Sequence, residues 1–179
     1  GYRAFAREKG RPLVGIVIVR KDSPLRDLKD LQGRTVIFPT PLAFAASMLT
    51  QAVMHDLGIH VQARYVQSHD SVLSGVANGA YEAGGTIARV LDSAPASVAA
   101  SLRVLASTPE YRPHPFVAHP RVPAATLKKL RAAFLSLEQD VAGRALLEQV
   151  AFKGIEPARD RDYDSIRRLD MRALIESVQ

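Results

Sequence analysis

The sequence predicts an α/β fold, with a mainly parallel sheet flanked by helices and a helical C-terminal segment. Three observations predict it. Up to about residue 107, short aliphatic runs of strand length alternate with segments whose apolar residues recur every three or four positions. Ser, Asn and Gly stand at the boundaries where helix caps and turns want them. Beyond "PEYRPHPFVAHPRVP", which packs five prolines into 15 residues, only helical spacing follows.

Taken in order, Val14 to Val19 is a buried-strand pattern stopped by Arg20-Lys21-Asp22. Ser23 as N-cap and Pro24 at the first helical position predict a helix carrying Leu25, Leu28 and Leu31, ended by Gly33. Thr35 to Phe38 is a second strand. Past the turn Pro39-Thr40-Pro41, a helix presents Ala45, Met48, Leu49, Ala52, Val53 and Leu57 on one face, with Gly58 beyond its end. His60 to Val66 alternates like a third strand. Ser68-His69-Asp70 starts a helix with Val72, Leu73 and Val76 inward, closed by Asn78-Gly79. "YEAGGTIA" is a fourth strand and "LRVLAST" a fifth. In the C-terminal part, Leu127, Leu130, Phe134 and Leu137 mark one helix and Ala145, Leu146, Leu147 and Val150 the next. A weak helix follows Asp164.

Composition narrows the function. No apolar run approaches the roughly 20 residues of a membrane helix, and zero cysteines exclude disulfides and thiolate metal sites. The net charge of +6 is concentrated in residues 1–34, where nine Lys/Arg face four acids. A nucleic-acid stripe would interleave aromatics with these cations, but only Tyr2 and Phe5 occur there. The charge is read as a solvated face. The five histidines show no H-E-x-x-H spacing, and no G-x-S-x-G elbow, P-loop or G-x-G-x-x-G fingerprint occurs. The reading is therefore non-enzymatic, with no cofactor and no metal.

Five stretches then occur in a telling order: "VIVRKDSPLRDLKDLQGRTVIF", a Pro-containing turn into a helix, "QSHDSVLSGVANGAYEAGG", "STPEYRPHPFVAHPRVP" and "KGIEPARDRDYDSIRRL". In order and spacing they resemble phosphate/phosphonate-type periplasmic binding proteins. These are the solute-binding components of ABC importers, whose two α/β lobes close on a ligand. The resemblance covers nearly the whole chain from Val14 onward. It implies a residual first-lobe segment at 1–13, a second α/β lobe at 14–108, and a connector with C-terminal helices of the first lobe at 109–179. Only "GYRAFAREKGRP" stands before Val14, so the resemblance implies a C-terminal portion with an incomplete first lobe. On that basis the apolar faces at Leu127/Leu130/Phe134 and Leu146/Val150 lack a sheet, and self-association is expected. The implied location is periplasmic. The implied partners are a small anionic or organic ligand and a membrane permease with its ATPase. A ligand-sensing domain of a histidine kinase, or an interaction fragment that binds no small molecule, are the competing readings.

The resemblance also points to ligand-binding positions. The family's turn after the second strand carries a Ser/Thr-rich run whose hydroxyls hold the phosphonate or phosphate oxygens. Here those positions are Leu42, Ala43, Phe44 and Ala45, and Thr40 is the hydroxyl left in the turn. Each lost hydrogen bond to a charged group is worth about 1.5–3 kcal/mol, so phosphate affinity is expected to be poor. Phe44 is either core packing or an apolar wall suited to an organic ligand. His69 matches a histidine that reaches an oxyanion, against the plainer reading of a helix-start surface residue. Glu82 matches an acid that can meet a cationic group, against a surface acid at a strand end. Thr86, after Gly84-Gly85, could face the ligand. Ser68 and Asp70 are read as caps.

Overall fold

A computed structural model describes residues 1–10, 12–169 and 175. The end of the expected C-terminal segment, 170–174 and 176–179, lies outside the described residues. The described strands are β1 (Arg3–Glu8), β2 (Gly15–Arg20), β3 (Thr35–Phe38), β4 (Gln62–Tyr65), β5 (Ala83–Ile87), β6 (Leu102–Ser107), β7 (Pro115–Ala118) and β8 (Ile155–Pro157). The helices are α1 (Thr50–Asp56), α2 (His69–Ala77), α3 (Ala88–Asp92), α4 (Ala96–Ser101), α5 (Ala124–Ser136), α6 (Val141–Gln149) and α7 (Asp164–Arg167). They fall into two compact units, a larger one built on Leu13–Glu110 and a smaller one of Gly1–Pro12 with Tyr111–Leu169.

The larger unit holds a five-stranded sheet in the order β4-β3-β5-β2-β6. β3 runs parallel to β4 and β5, whereas β2 runs antiparallel to both β5 and β6. Four strands therefore share one direction, as expected of strands joined by helical crossovers, and β2 alone is reversed. Hydrophobic periodicity is blind to strand direction, so β2 could not be told apart from its neighbours in the sequence. Its residues alternate between two buried faces. Ile16 and Ile18 pack with Ile37, Val72, Leu73 and Val76 on the α2 side. Val17 and Val19 pack with Val36, Phe38, Leu31 and Met54 on the α1 side. This double burial is why Gly15–Arg20 reads as a continuous aliphatic run.

Local signals explain most of the elements. The Ser68 hydroxyl accepts from Ser71 N–H at 3.0 Å and caps α2. Its Val72, Leu73 and Val76 are buried, and Gly79 ends it in the left-handed region at φ 78°. The helix expected over Leu25–Leu31 is instead one 3₁₀ turn, Leu28–Leu31, capped by the Asp27 carboxylate accepting from Lys29 N–H at 2.7 Å. A leucine every three residues suits the 3.0-residue turn of a 3₁₀ helix better than an α-helix. The short α3 and α4, between β5 and β6, were not expected.

The smaller unit departs further from expectation. Its core is an antiparallel sheet, β7-β1-β8, not helices alone. "RAFARE" is the central strand, with Ala6 fully buried and Phe5 nearly so. Leu127, Phe134 and Leu147 pack against Phe5, Phe116 and Ile155. The faces of Leu127 and Phe134 thus have their sheet, and nothing here supports self-association on their account. Leu130, Leu146 and Val150 remain exposed. Arg7, grouped above with a solvated face, is buried and bonds Glu156 at 2.6 Å and Asp162 at 3.0 Å.

Candidate functional site

The common direction of β3, β4 and β5 brings their C-terminal ends, Phe38, Tyr65 and Ile87, to one edge of the larger unit. β3 and β4 each run into a turn and then a helix, and β5 passes directly into α3 at Ala88; strand ends leading into helices are where α/β sheets place ligand sites.

After β3 come Pro39–Ala43 and a wide, π-helical stretch, Phe44–Leu49, that continues into α1. Such widened turns concentrate at functional sites. Ser47, fully buried, donates its hydroxyl to the Thr40 carbonyl at 2.6 Å and latches the turn to the helix. Thr40 and Leu42 are exposed, Ala43 and Phe44 half-buried. Ala45 is different. It is buried, and its carbonyl lies against Gly15, where a Cβ would come within 2.1 Å. Of the expected ligand set, it is the turn residue that packs the helix onto the sheet.

After β4 the chain turns through Gln67, whose φ of 72° is left-handed. That conformation costs a non-glycine residue roughly 1–2 kcal/mol, and it sets the start of α2 at Ser68-His69. Half-buried His69 places Nδ1 2.8 Å from the Thr86 hydroxyl of β5. This bond joins the two elements flanking the end of β3 and satisfies a fully buried hydroxyl. Two residues past the last paired residues of β3 and β5, Ile37 with Gly84, the register sets Thr86 near the level of Pro39. His69, Thr86 and the Thr40–Phe44 turn therefore share one edge.

Glu82 does not belong to it. It precedes β5, four residues from Thr86, which is about 13 Å along a strand. At that opposite edge its carboxylate meets Arg34 at 2.5 Å. Both side chains are largely exposed, so the pair is worth about 0–1 kcal/mol. This is the surface-acid arrangement, away from the edge that carries His69 and Thr86. Ser68 is a cap, as read. Neither the Ser47 latch nor the Gln67 turn is legible in the sequence, because neither residue type advertises those roles.

Burial holds the His69 pKa below its usual value; Arg89 pushes the same way and Asp70 opposes. The folded protein thus binds its proton later than the unfolded chain, whose histidine titrates near about 6.5. The stabilisation is complete above that value and is lost as pH falls through the lowered folded one. Thermal unfolding of wild type and His69→Gln between pH 8 and pH 5 is expected to show their stability difference shrinking as pH falls. A difference constant across that range would contradict this.

Together, a mostly parallel sheet with helices on both faces and a polar pair at its strand ends define an α/β lobe. Residues 1–163 match the family described as ABC transporter, phosphonate, periplasmic substrate-binding protein, and the chain belongs to that family. Among solved structures, it superposes on XAC2383 from Xanthomonas citri bound to chloride ion with a TM-score of 0.82, at 19% identity, covering 97% of this chain and 71% of that one. PhnD1 from Prochlorococcus marinus in complex with methylphosphonate gives 0.80 at 18% identity, covering 96% and 71%. A binding protein component of an ABC phosphonate transporter from Pseudomonas aeruginosa gives 0.77 at 16% identity, covering 99% and 65%. At such identities the likeness shows the fold. No helix among the described residues is long and apolar enough to cross a membrane.

Proposed function

We propose that the chain is the solute-recognition part of an ABC importer, acting in the periplasm with a permease and its ATPase, and that its ligand is a small organic anion. The alkyl or aryl group of a phosphonate or carboxylate would lie on Leu42, Ala43 and Phe44, and its head group would reach Thr40 and His69, whose imidazole the buried Thr86 hydroxyl holds in place. The observation that supports this is the shared edge: a polar pair held at 2.8 Å beside a turn whose exposed surface is mostly apolar. Family membership supplies the solute-binding class. The composition of the turn argues against inorganic phosphate, whose oxygens need several donors. Losing two or three charge-assisted hydrogen bonds, each about 1.5–3 kcal/mol, weakens binding by orders of magnitude.

Thermal shift and calorimetry with phosphate, methylphosphonate, phenylphosphonate and benzoate test this. Phenylphosphonate or benzoate is expected to raise the unfolding midpoint at sub-millimolar concentration while phosphate leaves it unchanged. A clear shift at micromolar phosphate would overturn the ligand assignment.

A further inference from the structure

We propose that Ser47 is the positioning residue of the strand-end site, its hydroxyl fixing the Thr40–Ala43 turn in the shape that receives the ligand without touching the ligand itself; this rests on the solute-binding reading above. The turn has few restraints of its own. Pro39 and Pro41 hold their own φ but carry no N–H to donate. The Ala43 N–H reaches the Thr40 carbonyl only at 3.3 Å, a long bond for an amide donor. No side chain caps the helix at Ala43.

Ser47 supplies what is missing. Its hydroxyl donates to the Thr40 carbonyl at 2.6 Å and its N–H to the Ala43 carbonyl at 2.8 Å, so one residue holds both ends of Thr40–Ala43. Ser47 is fully buried, and its bond to Thr40 is shielded from competing water. The Thr40 and Leu42 side chains of the same turn stay exposed. A loose turn loses conformational freedom when a ligand binds, whereas a turn already held loses little, so the restraint emerges as affinity. Leu42, Ala43 and Phe44 offer no side-chain donor. Thr40 and His69 therefore carry the polar contacts, and the placing of Thr40 decides how well a head group is met.

The test is calorimetric titration of wild type, Ser47→Ala, Ser47→Cys and Thr50→Val with phenylphosphonate and benzoate, alongside thermal melts and hydrogen exchange at the Ala43 amide. Thr50 is the control. It is buried just beyond Ser47 on the same helix, and its hydroxyl bonds the Ala46 and Ser47 carbonyls at 2.6 and 3.1 Å, both within that helix. Ser47→Ala is expected to weaken both anions at least tenfold and to speed Ala43 exchange at least tenfold. Ser47→Cys, whose thiol is a weak donor, falls between Ser47→Ala and wild type. Thr50→Val lowers the unfolding midpoint comparably to Ser47→Ala but keeps affinity within twofold of wild type. Equal affinity in wild type and Ser47→Ala overturns the proposal and leaves the solute-binding reading intact. Equal losses of affinity in Ser47→Ala and Thr50→Val also overturn it, because the effect is then one of general stability. Failure of wild type to bind either probe removes the reading, and the proposal with it.

Discussion

Gly85→Ala is expected to lower the thermal unfolding midpoint by about 6–12 °C, the equivalent of roughly 3 kcal/mol in a chain of this size. A Cβ at Gly85 would come within 2.4 Å of both the Ala46 carbonyl oxygen and the Phe38 ring. On β2, Gly15 is equally tight, with the Ala45 carbonyl oxygen 2.1 Å from the same imagined atom. Both obstacles include backbone of the widened helix Phe44–Leu49, which seats directly on the two glycines. A backbone cannot step aside as a side chain does, so the helix must lift away, and the Pro39–Ala43 turn moves with it. Gly75→Ala is the control. Its Cβ meets only side-chain atoms, at 3.0 Å from Ile37 and 3.3 Å from Tyr81. Removing a mid-helix glycine there gains about 0.5–1 kcal/mol, which offsets the crowding. Circular-dichroism melts should show Gly75→Ala near wild type and Gly85→Ala well below it. Equal midpoints would show that the helix is not held this closely.

The same glycines show what was legible in the sequence. "GGT" was readable as a place for close backbone approach, but not what approaches, since Ala46 is about 40 residues earlier in the chain. Elements whose signals are local were readable throughout. Ser68, the triplet Val72-Leu73-Val76 and Gly79 define α2 within twelve residues. β1 was not, because "RAFARE" has two arginines and a glutamate, and its strand character comes from β7 and β8, more than a hundred residues later. Of the site, His69 and Thr86 were found separately, and only the fold shows them bonded. Glu82 was separable from Thr86 by spacing. It directly precedes the strand that carries Thr86, four residues away, so extended-chain rise separates them by about 13 Å. Ala45 could not have been excluded from sequence, because its burial depends on Gly15 of another strand.

The smaller unit makes a prediction of comparable size at Arg7. On β1 its guanidinium bonds Glu156, its cross-strand partner on β8, and Asp162 in the turn before α7. Asp162 also accepts from Arg159 N–H at 3.0 Å. That backbone bond, followed by the charges of Arg7 and Arg112, holds its carboxyl below the usual range against the opposing effect of burial. Breaking a fully buried pair costs about 3–5 kcal/mol. Glu156 and Asp162 are 37% and 25% exposed, so water screens part of the loss and about 2–3 kcal/mol is expected for Arg7→Ala. Arg7→Met keeps the apolar stem and should recover the share that is packing. The remainder is charge and carries a pH signature. With its pKa depressed in the folded state, Asp162 contributes stability above its unfolded value of about 3.9, and that contribution is lost as pH falls through the lower folded one. The penalty of Arg7→Met relative to wild type should therefore be largest near neutrality and shrink toward pH 3, measured by urea unfolding at each pH. A penalty that does not change with pH would mean Arg7 holds the three-stranded sheet by packing alone, and that its two carboxylate partners are bystanders.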